Sequence, residues 1–360
     1  NWLYYSSTLD NYLGKNLMSD RAVFNTLNNL EITQEYLESN GIKFLFAVAP
    51  NKNTLYPQYM PSYYSVKESE NSNLKNFVSL LSESNLNYCD LYEVLSDSEE
   101  VLYHQQDSHW NNKGALIAYN AMLDGVSKKH NDYADVTATR SKNFYGDLGK
   151  MIYPSTQKPE FNYDYDIDFG YTYVTPTKSV EEAMISTENP DCEGSLYMYR
   201  DSFGNALLPY FANAYKTAFF TKAFPVNLAL ETMVHKSDTA MFVIAERNLI
   251  WFAQNPPVIP SAAVSVSDTE KIEDTLTNVK ASVSTVNMQY VCVEGSIDSS
   301  ICNEDSEFIV NVRDDSGNIM SYESFTTSDD KTDFGFKAYI PLSDLASDEI
   351  EIGFVVKNSD

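Results

Sequence analysis

Three almost wholly apolar runs constrain this chain most: Ile42 to Pro50, Ser195 to Tyr199 and Thr239 to Ala245. Runs this short, β-branched and aromatic, without clean alternation, read as strands covered on both faces, which is the habit of parallel sheets. Between them lie segments with helical spacing. Val23, Leu27, Leu30, Ile32 and Leu37 are stopped by Gly41; Asn71 to Leu81, Asn112 to Lys128 and Asn227 to His235 follow the same pattern. Tyr88 to Leu91 and Lys216 to Phe220 add shorter strands. Strand alternating with helix predicts a doubly wound α/β sheet, whose ligands bind beyond the carboxyl ends of the strands. Trp2 to Leu13 reads as a strand or packed arm. Lys142 to Thr177, rich in Tyr, Gly, Pro and Asp, shows neither period and is expected to run over the functional face or to pack against the core.

Tyr199-Arg200-Asp201-Ser202-Phe203-Gly204-Asn205 joins the second run to the helix-like Ala206 to Phe211. A serine in a strand-to-helix turn exposes its hydroxyl at the carboxyl edge of a sheet, with helix-start N–H groups at hand for an oxyanion. Asp-Ser before a helix is also an ordinary N-cap. Asp107-Ser108-His109-Trp110-Asn111-Asn112-Lys113-Gly114 supplies what a nucleophile needs. An Asp two positions before a His can hold one ring nitrogen and leave the other to face a hydroxyl. The expected roles are Ser202 as nucleophile, His109 as base and Asp107 as its orienting carboxylate, with backbone N–H groups at Ser202 and Gly204 as oxyanion donors. Lys52, Tyr56, Trp110 and Arg247 are the substrate-binding candidates. Arg247 stands after the third run, where it can meet a carboxylate or sugar hydroxyl, or form a loop-fixing salt bridge. A set of metal ligands made of His104, Asp107 and His109 fits no common zinc spacing and leaves Ser202 without a role.

Together the two stretches resemble the SGNH-hydrolase-like proteins that include the alginate O-acetyltransferases and the bacterial DHHW proteins. In that group an Asp-x-His-Trp segment precedes an Asp-Ser-Phe segment, the reverse of ordinary SGNH esterases, as Asp107, His109 and Trp110 precede Asp201, Ser202 and Phe203 here. Asn1-Trp2-Leu3-Tyr4-Tyr5, Ala49-Pro50-Asn51-Lys52 with Leu55-Tyr56-Pro57, and Phe144-Tyr145-Gly146-Asp147-Leu148 add to the likeness, which runs from about Asn1 to about Trp251. Ser108 stands where the DHHW pattern has its first His. The resemblance implies an SGNH-like (flavodoxin-like) three-layer α/β sandwich with reversed motif order. It also implies a serine-dependent O-acetyltransferase or acetylesterase that works on an extracellular or cell-surface polysaccharide through an acyl-enzyme. No cofactor or metal is expected; the implied partners are a glycan acceptor, an acetyl donor and a membrane acyltransferase. The chain opens at Asn1 without a signal region, and an exported product whose signal or anchor has been removed is expected.

At 360 residues the chain exceeds one ordinary domain. Asn255-Pro256-Pro257-Val258-Ile259-Pro260 breaks the α/β pattern, so an α/β domain is expected over 1–258, a linker over 259–271 and an all-β, sandwich-like domain over 272–360. The last is carried by β-rich segments such as Phe308 to Val312 and Phe334 to Ile340, with a hairpin turn at Asp315-Ser316-Gly317-Asn318. A formal charge of −26 argues against nucleic acid or an anionic membrane surface as partner. From Ser261 onward 20 Asp and Glu face 6 Lys and Arg, so the acidity is concentrated there. Four cysteines are too few for a disulfide scaffold, and pairing of Cys292 with Cys302 is left open. A second function class competes with the enzyme: a catalytically silent glycan-binding or cell-surface structural protein that keeps the fold.

Overall fold

The computed structural model describes residues 2–224, 226–266, 278–313, 317–345 and 350–358. It contains two compact units. The first comprises Asn1–Leu17, Leu37–Ala223 and Glu231–Leu249; the second comprises Met18–Tyr36, Phe224–Leu230 and Ile250–Asp360.

The first unit is built on nine strands: β1 (Lys43–Ala49), β2 (Tyr88–Cys89), β3 (Ala138–Phe144), β4 (Glu160–Tyr165), β5 (Thr172–Tyr173), β6 (Met184–Glu188), β7 (Ser195–Arg200), β8 (Thr217–Thr221) and β9 (Thr239–Ala245). Seven of them form one mixed sheet in the order β2-β1-β9-β7-β8-β6-β5. Its first five strands are parallel, and β6 and β5 extend it antiparallel. β9 lies at the centre of the five parallel strands with every residue buried, which is why its sequence does not alternate. On one face Leu45, Ala47, Met198, Met241 and Val243 pack with helices Leu91–Ser96, Asn112–Gly125 and Gly204–Ala214. On the other, Phe46 meets Phe77 of helix Asn73–Leu80 edge-on at 5.8 Å, and the Tyr197 hydroxyl donates to Glu231 of helix Leu228–His235 at 2.7 Å. The result is the three-layer α/β sandwich expected, each fully buried large side chain contributing roughly 1.5–3 kcal/mol.

Three expectations change here. The N-terminal arm contains a helical turn, Ser7–Tyr12, rather than a strand. The 142–177 stretch is structured: β4 returns along β3, and helix Asp147–Ile152 lies between them. The strand β6 went unread because five residues with alternating burial carry too little pattern to separate from a loop. Among the described residues no helix is long and apolar enough to cross a membrane.

Among the described residues the second unit holds two antiparallel four-stranded sheets. One runs β10 (Ala263–Val264), β14 (Ile319–Glu323), β13 (Glu307–Arg313), β17 (Glu351–Lys357); the other runs β11 (Val279–Val286), β12 (Tyr290–Ile297), β16 (Gly335–Pro341), β15 (Phe325–Thr327). Val293, Val310, Phe336, Ala338 and Ile340 fill a shared core, as in a β-sandwich. Of the expected linker and turn, residues 267–271 and 315–316 lie outside the described residues; β13 and β14 do pair, with Arg313 opposite Ile319. All four cysteines are free, so Cys292 and Cys302 are not bonded.

This unit also takes in most of the helix Asp20–Ser39, as the single break in sequence did not anticipate. The buried Asn29 amide donates to the carbonyls of Phe252 (2.8 Å) and Thr326 (2.7 Å), and its oxygen accepts from the Thr326 N–H (3.0 Å). Asn25 reaches Ser328 and the Asp333 carbonyl, and the Arg21 guanidinium lies 5.2 Å from the centres of both the Phe308 and Phe334 rings. These polar side chains need the C-terminal strands. Asn29→Ala removes three buried hydrogen bonds and is expected to cost about 2–3 kcal/mol in denaturant unfolding. A loss below about 0.5 kcal/mol would contradict this packing.

Candidate active site

The carboxyl ends of β1, β7 and β9 lie side by side, with Ala49 opposite Ala245 and Arg200 opposite Val243. Segments that are distant in sequence therefore emerge along one edge: Asn51 and Lys52 after β1, Ser202 after β7, Glu246 and Arg247 after β9. The segment bearing the predicted base stands beside them as a closed loop. Tyr103 and Trp110 form an antiparallel bridge, the His104 N–H donates to the His109 carbonyl at 3.1 Å, and the Asn111 side chain caps the following helix through the N–H groups of Lys113 and Gly114.

Lys52 fills this loop from within. Its buried ammonium donates to the carbonyls of His104 (3.1 Å), Gln105 (3.1 Å) and Asp107 (2.5 Å), using all three of its donors. Burial pushes its pKa down to about 8, against the opposing pull of Asp107, Glu160 and Asp147. Glu160 satisfies the loop from outside, accepting the N–H of Gln105 at 2.6 Å and of Gln106 at 3.0 Å. Gly146 passes so close that a Cβ there would lie 2.1 Å from the Gln106 carbonyl oxygen, a position only glycine can occupy.

Ser202, His109 and Asp107 are brought into one line. The His109 Nε2 lies 2.8 Å from the Ser202 hydroxyl, and Nδ1 lies 2.7 Å from Asp107 Oδ1. Asp107 also accepts the N–H of His109 (2.9 Å) and, through Oδ2, that of Asp147 (2.8 Å). Burial alone would raise the Asp107 pKa. The bonds from the His109 ring and from the two N–H groups prevail and hold the carboxyl well below the usual range, so it is ionised at neutral pH. His109 is a quarter exposed and Ser202 is half-buried, so the reacting end of the line is open to solvent.

The serine sits in the turn between β7 and helix Gly204–Ala214. Asp201 shapes that turn rather than the chemistry: it accepts from the N–H groups of Phe203 (2.9 Å) and Ala245 (2.7 Å) and from the Asn248 amide (2.8 Å). Arg200, fully buried, bonds Asn205 and the carbonyls of Val180 and Glu182. A Cβ at Gly204 would come within 2.6 Å of the Arg200 side chain, which fixes glycine there. The Gly204 N–H donates to the Asp201 carbonyl at 3.2 Å, whereas the Ser202 N–H has no acceptor among the described residues. The two expected oxyanion donors are thus unequal, with Ser202 the freer.

Three of the four expected substrate-binding side chains point inward. Lys52 holds the loop. Tyr56 is buried and accepts the Leu102 N–H at 2.8 Å. Trp110 is buried edge-on against Phe203 at 5.0 Å, and Phe203 in turn lies 4.8 Å from the His109 ring. Arg247 remains at the surface, its guanidinium 5.7 Å from the centre of Phe203 and 5.5 Å from that of the exposed Tyr5. The loop-fixing salt bridge considered for Arg247 is not formed among the described residues. Glu246 is buried and accepts from the Asn51 N–H and the Asn11 amide. His104 stacks on Phe144 at 3.7 Å, and burial pushes its pKa down to about 4. It is therefore neutral, and it is not one of the close group of Asp107, His109 and Asp147, whose nitrogen and carboxylate oxygen atoms lie within 4.8 Å of one another. Sequence reasoning quoted Asp147 and Arg200 within their motifs without giving them a role, and left Glu160 unread; a buried charge betrays itself in sequence only when its partner is already known.

The family described as SGNH hydrolase-like domain, acetyltransferase AlgX, matches residues 1–189, a stretch that carries Asp107, His109 and Asp147 and ends before Ser202. A comparison with curated protein sequences finds no match. Among solved structures, that of Bacillus cereus PatB1 with a sulfonyl adduct is 16% identical, covers 65% of this chain and 93% of that one, and superposes with a TM-score of 0.52. A DHHW family protein from Eubacterium siraeum is likewise 16% identical, covers 67% and 91%, and gives 0.53. Identities this low speak for the fold alone. With more than half of its residues matched by the family, the chain belongs to the SGNH hydrolase-like acetyltransferase domains of the AlgX type.

Proposed function

We propose that this chain is a serine O-acyltransferase that moves acetyl groups onto hydroxyls of an exported polysaccharide. The observation that carries the reading is the unbroken Asp107–His109–Ser202 line, with 2.7 and 2.8 Å contacts. The Ser202 hydroxyl attacks the donor's carbonyl as its proton passes to His109 Nε2. Asp107 accepts from Nδ1–H, fixing the tautomer and stabilising the imidazolium. The Ser202 N–H meets the oxyanion, and the leaving group departs with the proton from His109. An acceptor hydroxyl then attacks the acetyl-serine with the same base, returning the serine. Water in place of that hydroxyl gives the esterase reaction. An open, half-exposed serine suits a polymer acceptor, and Arg247 with Tyr5 offers such a chain a cation and a ring at the rim. Membership in the AlgX-type family supports transfer to a polysaccharide, and it supports export of the chain as well. The sulfonyl adduct in PatB1 suggests a matching probe for Ser202.

Ser202→Ala is expected to abolish turnover of p-nitrophenyl acetate and acetyl transfer to an oligosaccharide, with an unchanged circular dichroism spectrum. Asp107→Asn is expected to lower kcat by up to about 10⁴-fold, because an amide favours the wrong tautomer. If the Ser202→Ala protein matched an active parent, the nucleophile would be misassigned. A parent silent with several donors and unmodified by a sulfonyl fluoride would favour the glycan-binding alternative.

Lys52→Met tests the loop. The change removes the desolvation cost of the ammonium, yet it leaves three carbonyls without their donor at about 1 kcal/mol or more each. The net expectation is a loss of about 2 kcal/mol in urea unfolding together with a fall in kcat; unchanged stability and turnover would show that the ammonium does not hold the loop.

Asp107 also gives a pH dependence. Its folded pKa lies below the unfolded value of about 3.9, so its contribution to stability is complete above that value and disappears as pH falls through the folded one. The difference in melting temperature between the parent and Asp107→Asn is therefore expected to shrink between about pH 5 and about pH 2. A difference independent of pH over that range would mean that the folded carboxyl is not held ionised.

A further inference from the structure

From the contacts around His109 we infer that Asp147 is a second carboxylate of the site, a positioning residue that locks the base-bearing loop and supports the imidazolium beside Asp107. The inference rests on the reading of His109 as the base.

Two loops exchange backbone and side-chain bonds here. The Asp147 N–H donates to Asp107 Oδ2 at 2.8 Å, and in return the Ser108 N–H donates to Asp147 Oδ1 at 3.0 Å. The Ser108 hydroxyl donates to Asp147 Oδ2 at 2.9 Å, and that same oxygen lies 3.9 Å from His109 Nδ1. One residue therefore does two things. Its N–H occupies the Asp107 oxygen that the imidazole does not use, fixing the plane of that carboxylate. Its own charge stands beside the nitrogen that must carry a proton when His109 accepts one from Ser202. Ser108, in the position where the DHHW pattern has a His, is the group that makes this possible, because a serine offers Asp147 both an N–H and an O–H donor within one residue.

Among the described residues the groups facing the imidazole are Asp107, His104 and the Ser108 hydroxyl (3.3 Å from Nδ1) from its own loop, Asp147 from the start of helix Asp147–Ile152, Glu181 from the segment before β6, and Ser202 from its turn. Among the carboxylates of the described residues, Asp107 is directly bonded and Asp147 is the one whose oxygen reaches within 4 Å of the ring without a ring bond. The Asp147 side chain is about one-third exposed, so solvent screens part of its effect.

The test separates charge from shape. Asp147→Asn keeps the backbone N–H and one of the two oxygens that accept from Ser108 while removing the charge; Ser108→Ala keeps the charge and removes the hydroxyl that bonds Asp147 and lies 3.3 Å from His109 Nδ1. The ring signals of His109 are followed by nuclear magnetic resonance across pH in the full chain, assigned with His109→Gln. In Asp147→Asn the His109 titration is expected to move to lower pH by about 0.3–0.7 unit, the size of a partly screened charge pair. If turnover is present, the acid limb of kcat/KM moves by the same amount. Ser108→Ala is expected to move it less. A His109 titration that stays in place when the charge is removed would overturn the inference, even if turnover fell, since that result marks a purely structural part. A clear shift in a protein without esterase or transferase activity would leave Asp147 as inferred and reject the proposed function.

Discussion

Three carbonyl oxygens converging on one buried ammonium hold this site together. The loop from Tyr103 to Trp110 has no regular structure of its own, and it carries both His109, the proposed base, and Asp107, the carboxylate bonded to its ring. A loop of that kind loses its shape unless its backbone groups are satisfied. Lys52 takes the inward carbonyls, Glu160 takes two of the outward N–H groups, and the bridge at its ends closes it. Placing an ammonium there is costly by itself, as the fall of its pKa to about 8 records. The three bonds and the neighbouring carboxylates are what keep it in place.

The serine is fixed by different means. Its turn follows a buried strand, and the turn is tied to the next strand through Asp201, which bonds Ala245 and Asn248. Arg200 closes the other side, with Gly204 leaving room for its side chain. Two independently braced segments thus meet across a gap of one hydrogen bond, 2.8 Å between Nε2 and Oγ. Bracing of this kind, with each partner fixed by its own surroundings, is what electrostatic catalysis requires of a site. Residues outside the line itself, such as Lys52 and Asp147, consequently carry as much of the arrangement as the three that form it.

Much of this was legible in the chain. Strands apolar on both faces announced a parallel sheet, and the sheet's carboxyl edge announced where Ser202 and Arg247 would be. Asp107 and His109 were legible because chemistry needs those two types at that short separation. Inward-facing polar residues were not. Lys52 in a loop reads as an exposed cation, and Tyr56 and Trp110 read as substrate contacts, because nothing in a linear chain says that three carbonyls from residues 104–107 will enclose an ammonium. The helix of Asp20–Ser39 was legible as a helix and illegible as a member of the second unit, since its link to the β-strands runs through Asn25 and Asn29, residues with no periodic signature. The short strand β6 failed for want of length.

The central claim is that Ser202 carries an acyl group during the reaction. Rapid acid quenching of the protein with an activated acetyl ester, followed by peptide mass spectrometry, asks this directly, with the Ser202→Ala protein alongside. The account predicts one acetyl group per chain on the peptide holding Ser202, absent from the alanine variant and accumulating when acceptor is withheld. Acetylation of other residues alone, or equal labelling of both proteins, would contradict it.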